Sequence, residues 1–235
     1  MSAMRDVLTV FQNIWTDFVR VAKKQLQAQK NDRFTRIFFI IVVIGAFGYG
    51  GFRGYRWFIA RREAKAQKVF LESMQLYMEA KADPSKTEDV LGAFSFGYDQ
   101  NKSSNLAPFF LFFKSKLLSD QGKHEEALQL METAIKECTD KTMKQFYEVK
   151  FALMKIDLKD QTQKSEGLAQ LEKIAVTENS GRDMALYYLG LHYWNADDVA
   201  KAREYWEKIP ETKEGRIVTR SPFADRIKEK LEQLT

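Results

Sequence analysis

The chain has 235 residues, of which 29% are charged, with a formal net charge of +5 and a single cysteine. One cysteine excludes an intramolecular disulfide, and no basic stripe interleaved with aromatic residues indicates nucleic-acid binding. The basic residues instead flank a hydrophobic run, where anionic lipid headgroups account for them.

The first predicted element is an amphipathic helix over residues 4–30, within an N-terminal segment that spans residues 1–33. Its apolar residues recur at helical spacing: Val7, Phe11, Ile14, Trp15, Phe18 and Ala22. Such a helix can lie on a membrane surface with its apolar face towards the lipid. The alternative is a helix that packs against a partner protein or against its own domain.

The run IFFIIVVIGAFGYGGFRGYRWFI, Ile37–Ile59, predicts a transmembrane helix within residues 34–59. At about 1.5 Å per residue, roughly 20 residues cross the hydrocarbon of a bilayer. The run is uncharged as far as Phe52, and Arg53 and Arg56 can reach the headgroups from the helix end. The alternative is a buried helix of a soluble domain, but the eleven apolar residues from Ile37 to Phe47 leave no polar face, and a surface helix of a globular domain should show one. A cleaved signal peptide would begin nearer the N-terminus and end in small residues.

Gly50 and Gly54 form a small-xxx-small pair in this run, which lets a second helix approach closely. We therefore predict that these two glycines mediate packing of the transmembrane helix. Basic residues flank both ends of the run, so the positive-inside rule does not orient the chain.

Residues 60–105 are predicted to be connecting helices. The first, residues 61–82, ends at Asp83-Pro84, because the residue before proline is pushed out of the helical region. The second carries the apolar residues Val90, Leu91, Phe94 and Phe96. A polar loop is predicted over residues 97–105.

Residues 106–235 predict helical pairs followed by a last helix. The pairs are Leu106–Ser119 with His124–Cys138, Met143–Leu158 with Ser165–Val176, and Arg182–Trp194 with Val199–Ile209; the last helix is Pro222–Leu234. No alternating strand pattern and no Asn-Gly hairpin signal occurs, so the predicted fold class is all-α, with helix and turn throughout.

The second helix of each pair carries a small residue, followed by apolar residues four and seven positions later. These sets are Ala127, Met131 and Ala134; Gly167, Leu171 and Ile174; and Ala202, Trp206 and Ile209. A small side chain where two helices cross lets their backbones approach, and the larger residues fill the groove one turn on. The small residues recur at about the spacing of a 34-residue helical repeat with short insertions.

At these residues the sequence resembles the tetratricopeptide repeat family. Gln121–Ala127 looks like the inter-helix turn of that family, and Leu189-Gly190 resembles its first-helix motif. Where the family has leucine and glycine, the first pair has Lys114-Ser115 and the second has Met154-Lys155. The resemblance implies an α-solenoid of about three degenerate helical hairpins.

The order of the elements, together with the segments SSNLAPFFLFFKSKLLSDQGKHEEALQLMETAI and YYLGLHYWNADDVAKAREYWEKIP, resembles the YfgM-like ancillary subunits of the bacterial SecYEG translocon. The resemblance implies a single-pass anchor in the cell inner membrane and a periplasmic C-terminal repeat domain. It also implies contact with the translocon, and help for exported proteins together with periplasmic chaperones. The longer basic N-terminal segment departs from the short leader of that family.

The sequence carries no catalytic constellation. His124 and His192 lie in different repeats, and with Cys138 they fall short of the roughly four closely spaced ligands of a zinc site. Cys138 has no evident paired base for nucleophilic chemistry. We therefore expect a protein that is not an enzyme and has no metal, cofactor, small-molecule substrate or nucleic-acid partner.

Four first-helix residues are predicted to line a protein-binding groove. Tyr147, Phe151 and Tyr187 belong to the first helices of the later repeats, and Leu111 lies in the aromatic run 109–113 of the first. First helices face the concave side of stacked helical repeats, where an apolar peptide segment could bind. The alternative for the aromatic run is a helix buried between neighbouring repeats.

These observations favour a membrane-anchored protein-binding module, namely an ancillary translocon subunit or chaperone-like adaptor for exported proteins. The alternative is a structural scaffold subunit of a membrane complex, organised through its transmembrane and amphipathic helices.

Overall fold

The computed structural model of the protein describes residues 16–17, 20, 33–209, 212–213 and 219–232. The predicted amphipathic helix over residues 4–30 lies outside this part of the chain, apart from 16–17 and 20, whose backbone is helical. The chain divides into two compact units, Met1–Ala60 and Arg61–Thr235.

Helix α1, Arg33–Ala82, begins in the first unit and continues into the second. It includes the whole of the predicted transmembrane run, whose backbone is therefore helical. In the first unit Ile44 and Trp57 are 65% and 62% exposed. Within the described residues, no helix combines the length and the apolar character that crossing a membrane requires. The transmembrane helix stays a prediction.

Helices follow one another through the second unit, after α1 and a 3₁₀ turn at Pro84–Lys86. They are α2 Thr87–Gln100, α3 Ala107–Asp120, α4 His124–Glu137, α5 Lys141–Ile156, α6 Gln161–Ala175, α7 Arg182–Asn195, α8 Val199–Glu207 and α9 Ala224–Glu232. From α2 to α8, each helix packs against its neighbours in the chain. The predicted stack of helical pairs is therefore confirmed.

A short β-hairpin departs from the prediction of helix and turn throughout. Strand β1, Thr212–Lys213, pairs antiparallel with β2, Thr219–Arg220, and Thr212 lies opposite Arg220. A period-two pattern needs roughly four residues or more to be recognised. Strands of this length therefore leave no pattern in the sequence.

Helix α1 ends where the sequence predicts. Asp83 has an extended backbone with a φ of −131°, as expected for the residue before Pro84. Its carboxylate accepts hydrogen bonds from the backbone N–H of Ser85 at 3.1 Å and from the Ser85 hydroxyl at 2.7 Å. These bonds fix the turn that returns the chain as α2.

Helix α2 runs further than predicted, so the loop that was expected over residues 97–105 begins at Asn101. Gly97 lies inside the helix and faces Phe110 of α3, whose ring a Cβ at this position would overlap. The glycine therefore allows a close approach between α2 and α3 and does not mark a loop.

Helices α1 and α2 share a core with the first predicted repeat. The rings of Phe70 and Tyr77 in α1 each lie 5.7 Å from the ring of Phe113 in α3, measured between centroids. Phe113 in turn stacks on Phe94 of α2 at 5.6 Å, with 12° between the ring planes. Residues 61–100 thus contribute side chains of two further helices to the core of the first repeat.

The small residues predicted at the helix crossings are buried. Ala127, Gly167 and Ala202 are inaccessible or nearly so, and the residues that follow them are at most 8% exposed: Met131, Ala134, Leu171, Ile174, Trp206 and Ile209. A Cβ at Gly167 would lie 2.6 Å from the carbonyl oxygen of Ala152. The backbones of α5 and α6 are therefore too close for any side chain at this position.

The first helices contribute a different residue to each crossing. In the first pair the buried Ser115 hydroxyl donates a hydrogen bond to the Ala127 carbonyl oxygen at 2.7 Å. In the third pair Gly190 faces the indole of Trp206, whose Nε1 donates to the carbonyl oxygen of Tyr187 at 3.1 Å. Ser115 can occupy the position where the family has glycine, because its buried hydroxyl finds a hydrogen-bond acceptor on the facing helix.

The turns of the first and third pairs have the same backbone geometry. Gly122 has a φ of +79° and Asp197 a φ of +60°, and each follows the last turn of a first helix. In both turns the next N–H bonds back across the helix end, from Lys123 to Leu118 and from Asp198 to Tyr193, each at 2.9 Å. This is the Schellman motif, which satisfies the last carbonyl groups of a helix.

We predict opposite effects for alanine at Gly190 and at Gly92. Gly190→Ala forces a methyl group into the Trp206 indole and should lower the free energy of unfolding by roughly 1–3 kcal/mol. Gly92 is exposed in the middle of α2, and a Cβ added there would meet no atom within 4 Å. Gly92→Ala should therefore raise the free energy of unfolding by roughly 0.5–1 kcal/mol. Urea denaturation followed by circular dichroism measures both, and equal stability of the two variants would contradict the close crossing.

Candidate protein-binding surface

A row of half-buried side chains crosses the first helices of the three pairs. We call it the aromatic row, and it consists of Phe109 and Phe112 on α3, Phe146 and Lys150 on α5, and Tyr188 on α7. The rings of Phe112 and Phe146 lie 5.6 Å apart between centroids. The row therefore continues from one pair to the next without a gap between α3 and α5.

Lys150 joins the second pair to the third. Its Nζ lies 5.6 Å from the ring centroid of Phe146 and 5.1 Å from that of Tyr188, and it donates a hydrogen bond to the Tyr188 hydroxyl at 3.4 Å. A cation held over two ring faces is stabilised by their negative quadrupole potential. Within the described residues no carboxylate forms an ion pair with Lys150, so the row has positive charge at its centre.

Tyr147 forms the base of the row. Its ring lies 5.2 Å from Phe112, nearly parallel to it, and 6.0 Å from Phe109. The side chain is fully buried, and its hydroxyl has no hydrogen-bond partner in the part of the chain that the structure describes. Burial, with a smaller contribution from Cys138, raises the pKa of Tyr147 above its ordinary value.

The predicted groove residues lie beside this row. Leu111, Tyr147 and Tyr187 are at most 8% exposed, so these three side chains are covered and do not line an open groove. Phe151 is half-buried, with the Lys155 Nζ 5.1 Å from its ring centroid. A role of these four residues in binding stays a prediction.

Three of the predicted groove residues are immediate sequence neighbours of members of the aromatic row: Leu111 of Phe112, Tyr147 of Phe146, and Tyr187 of Tyr188. One residue along an α-helix turns a side chain by about 100°, which is enough to move it from the core to the surface. All six residues are apolar or aromatic, so the sequence offers no contrast that would identify the exposed member of each pair.

The C-terminal segment covers Tyr187. The ring of Phe223 stacks on that of Tyr187 at 4.9 Å, with 24° between the planes. Beside them the Ser221 hydroxyl donates to the buried Asp183 carboxylate at 3.0 Å. These contacts fix the start of α9 against α7 and limit the aromatic row at Tyr188.

Gly50 and Gly54 lie on the described part of the first unit, and a Cβ at either position would have no atom within 4 Å. Among the described residues of that unit, none occupies the space beside them. Packing of a second helix against these glycines stays a prediction.

Two titratable side chains named in the sequence analysis, Cys138 and His192, have shifted pKa values. Burial raises the pKa of the Cys138 thiol and lowers the pKa of His192, to which Lys164 also contributes. At neutral pH the first is therefore a thiol rather than the nucleophilic thiolate. Among the described residues no three His, Cys, Asp or Glu side chains are grouped so that they could hold a metal ion.

The match to a family profile agrees with this architecture. The sequence profile of the tetratricopeptide repeat-like domain family matches residues 29–234. A solved structure, the crystal structure of BtubC (BKLC) from P. vanneervenii, is similar at 15% sequence identity and a TM-score of 0.35, over 64% of this chain and 71% of that one. No curated protein matches the sequence.

We predict that Tyr147→Phe stabilises the protein, by about 1 kcal/mol, because it removes a buried hydroxyl that has no partner. Because the folded-state pKa of Tyr147 is raised, its phenol ionises first in the unfolded state, and this ionisation lowers the free energy of unfolding as the pH rises above the unfolded pKa of about 10. Tyr147→Phe should therefore also reduce the loss of stability at alkaline pH. Urea denaturation at neutral and alkaline pH measures both effects.

The matched control is Tyr98→Phe. The Tyr98 hydroxyl donates to the Glu137 carboxylate at 2.6 Å, so its loss should lower the free energy of unfolding. Destabilisation by Tyr147→Phe similar to that of the control would show that the Tyr147 hydroxyl is satisfied.

Proposed function

The chain belongs to the tetratricopeptide repeat-like domain family, and we propose that it is a membrane-anchored module that binds other proteins on its aromatic row. Repeat domains of this kind bind proteins and are typically not catalytic. The observation that carries the proposal is the aromatic row itself, because it is the continuous surface that the three stacked pairs build together.

The row suits a partner with apolar side chains. Phe112, Phe146 and Tyr188 keep part of each ring accessible, while their remaining surface is fixed by packing. Rigid aromatic rings lose little conformational entropy on binding, which makes them frequent hot spots in protein interfaces. Lys150 between them adds a cation that favours a partner without positive charge at the same point.

Membrane anchoring is the second part of the proposal. The described side chains of the first unit include Ile41, Val42 and Ile44, all exposed, followed by Tyr49, Tyr55 and Trp57, which are exposed as well. A soluble helix seldom exposes large apolar groups in such number, whereas lipid covers them without cost. Tyrosine and tryptophan at one end suit the membrane–water interface.

The cellular role follows from the resemblance to YfgM-like subunits. We place the anchor in the cell inner membrane as a single pass and the repeat domain in the periplasm. There the aromatic row would engage a SecYEG-type translocon, periplasmic chaperones or exported proteins that still expose apolar segments. The protein would act as an ancillary translocon subunit or a chaperone-like adaptor.

A scaffold subunit of a membrane complex is the alternative, and the glycines of α1 favour it. The open space beside Gly50 and Gly54 would admit a second transmembrane helix. In that case the membrane segments would determine the partner, and the repeat domain could be exchanged.

Crosslinking tests the binding role. A photoreactive phenylalanine analogue at Phe146 or Tyr188 should crosslink, in intact membranes, to a translocon component or to an exported protein. The same analogue at Phe96, an exposed ring of α2 outside the row, is the control. Phe112→Ala should reduce the crosslinked product about tenfold, as expected for the loss of an aromatic hot spot.

Equal crosslinking from Phe96 and from the row would contradict binding on the aromatic row. If an unrelated anchor in place of residues 34–59 abolishes the complex while Phe112→Ala leaves it intact, the scaffold alternative is correct.

Fractionation tests the anchor. The full chain should remain in the membrane pellet after alkaline carbonate extraction, while a chain that begins at Arg61 should be found in the aqueous fraction. Ile41→Lys with Ile44→Lys should release the full chain, because each lysine at the centre of a membrane helix costs roughly 3 kcal/mol. Ile41→Ala with Ile44→Ala is the matched control, and aqueous full-length wild type would refute the anchor.

A further inference from the structure

Lys150 of the aromatic row is a cation with no carboxylate beside it in the described part of the chain. An ammonium group can donate three hydrogen bonds. Lys150 donates one of them to the Tyr188 hydroxyl, at the long distance of 3.4 Å. Its charge and most of its donor capacity are therefore left for water or for a bound partner.

Other lysines that lie over an aromatic ring have a carboxylate of their own. Four such lysines form ion pairs of 2.7–3.5 Å. They are Lys102 with Asp99, Lys155 with Glu166, Lys201 with Asp198 and Lys208 with Glu204. Lys150 lies over the rings of two helices, Phe146 and Tyr188, without the carboxylate that these four lysines have.

The acidic residues of the first helices do not supply this carboxylate. Asp120 at the end of α3 pairs with Lys116 at 3.0 Å, and Asp183 of α7 is buried and accepts a hydrogen bond from Ser221. Glu148 lies on α5 itself, two residues from Lys150 and so about 200° around the helix. A carboxylate for Lys150 therefore has to come from outside these helices.

Charge is also distributed unevenly over the repeat stack. The first helices α3, α5 and α7 carry seven lysine or arginine residues against three acidic residues. The second helices α4, α6 and α8 carry five against eight. The helices that build the aromatic row are thus net positive and the second helices net negative, so electrostatic steering favours an acidic partner at the row.

We propose that the aromatic row binds a protein segment in which an acidic side chain lies between two apolar ones, with its carboxylate on the Lys150 ammonium. This inference rests on the proposed binding role of the row and specifies the chemistry of the partner. The apolar side chains cover the rings of Phe146 and Tyr188 on either side. Because these rings exclude part of the water, the charge-assisted hydrogen bond is stronger than that of a fully exposed ion pair.

An extended segment presents this pattern at suitable intervals. Alternate side chains of an extended chain point to the same side and lie roughly 7 Å apart. The Lys150 Nζ lies 5.6 Å from the ring centroid of Phe146 and 5.1 Å from that of Tyr188. An acidic residue with apolar residues two positions before and two positions after it can therefore contact all three side chains.

Peptide binding to the full chain in detergent solution tests the inference. The probe is a short fluorescein-labelled peptide in which leucine and serine alternate and the central leucine is replaced by glutamate. A second peptide has glutamine in place of the glutamate. In fluorescence anisotropy the glutamate peptide should bind about tenfold more tightly, as expected for a hydrogen bond to a charged group. High salt should reduce this preference, because it screens the charges.

Substitutions at Lys150 assign the preference to its ammonium group. Lys150→Met keeps a long apolar side chain and removes the charge, so the two peptides should bind equally. Lys150→Glu should reverse the preference, in favour of a third peptide with lysine at the centre. Lys155→Met is the matched control, because it removes the same charge from the same helix at a lysine that already pairs with Glu166 at 2.8 Å. The control should keep the preference for glutamate.

Equal binding of the glutamate and glutamine peptides to the wild-type chain would overturn the inference, and so would a glutamate preference that survives Lys150→Met. In both cases the binding role of the row stands if Phe112→Ala weakens all the peptides. If Phe112→Ala weakens none of them, the row is not the binding surface and both proposals fail. A wild-type chain that binds none of the peptides would overturn the inference alone, since crosslinking in membranes tests the row independently.

Discussion

The close crossing of the two helices in each pair is the constraint on which the repeat domain depends. At these crossings the backbones approach across Ala127, across Gly167 and the Ala152 carbonyl, and across Gly190 and the Trp206 indole. Where a polar side chain occupies such a position, as Ser115 does, its hydroxyl is satisfied by the facing backbone. A larger residue would separate the helices, and the neighbouring pairs could then no longer stack on a common face.

Close pairs also explain why the aromatic row is continuous. Because α3, α5 and α7 are the first helices of stacked pairs, side chains far apart in the sequence become neighbours, such as Phe112 with Phe146 and Lys150 with Tyr188. The rings of Phe109, Phe112 and Phe146 rest on buried Tyr147, and that of Tyr188 lies against Tyr187, so their positions are fixed before any partner arrives. Binding on such a surface requires little ordering of the protein, which favours affinity.

The ends of the stack are finished in different ways. At the C-terminal end, the Phe223–Tyr187 stack and the Ser221–Asp183 hydrogen bond hold α9 in place, and its exposed residues are all charged within the described range. At the other end, α1 extends beyond the domain and carries Leu71 and Met78 on its free side.

The sequence by itself determined the helical pairs, the small residues at their crossings and the turn at Asp83-Pro84, because these depend on spacing and backbone chemistry within a short stretch of chain. The β-hairpin was too short to leave a pattern. Only the tertiary structure decided which side of each first helix faces outwards. Leu111 and Phe112, Tyr147 and Phe146, and Tyr187 and Tyr188 are equally apolar neighbours, so local pattern cannot distinguish them. Their exposure depends on how each helix is rotated against the next pair, and a single residue changes that direction by about 100°.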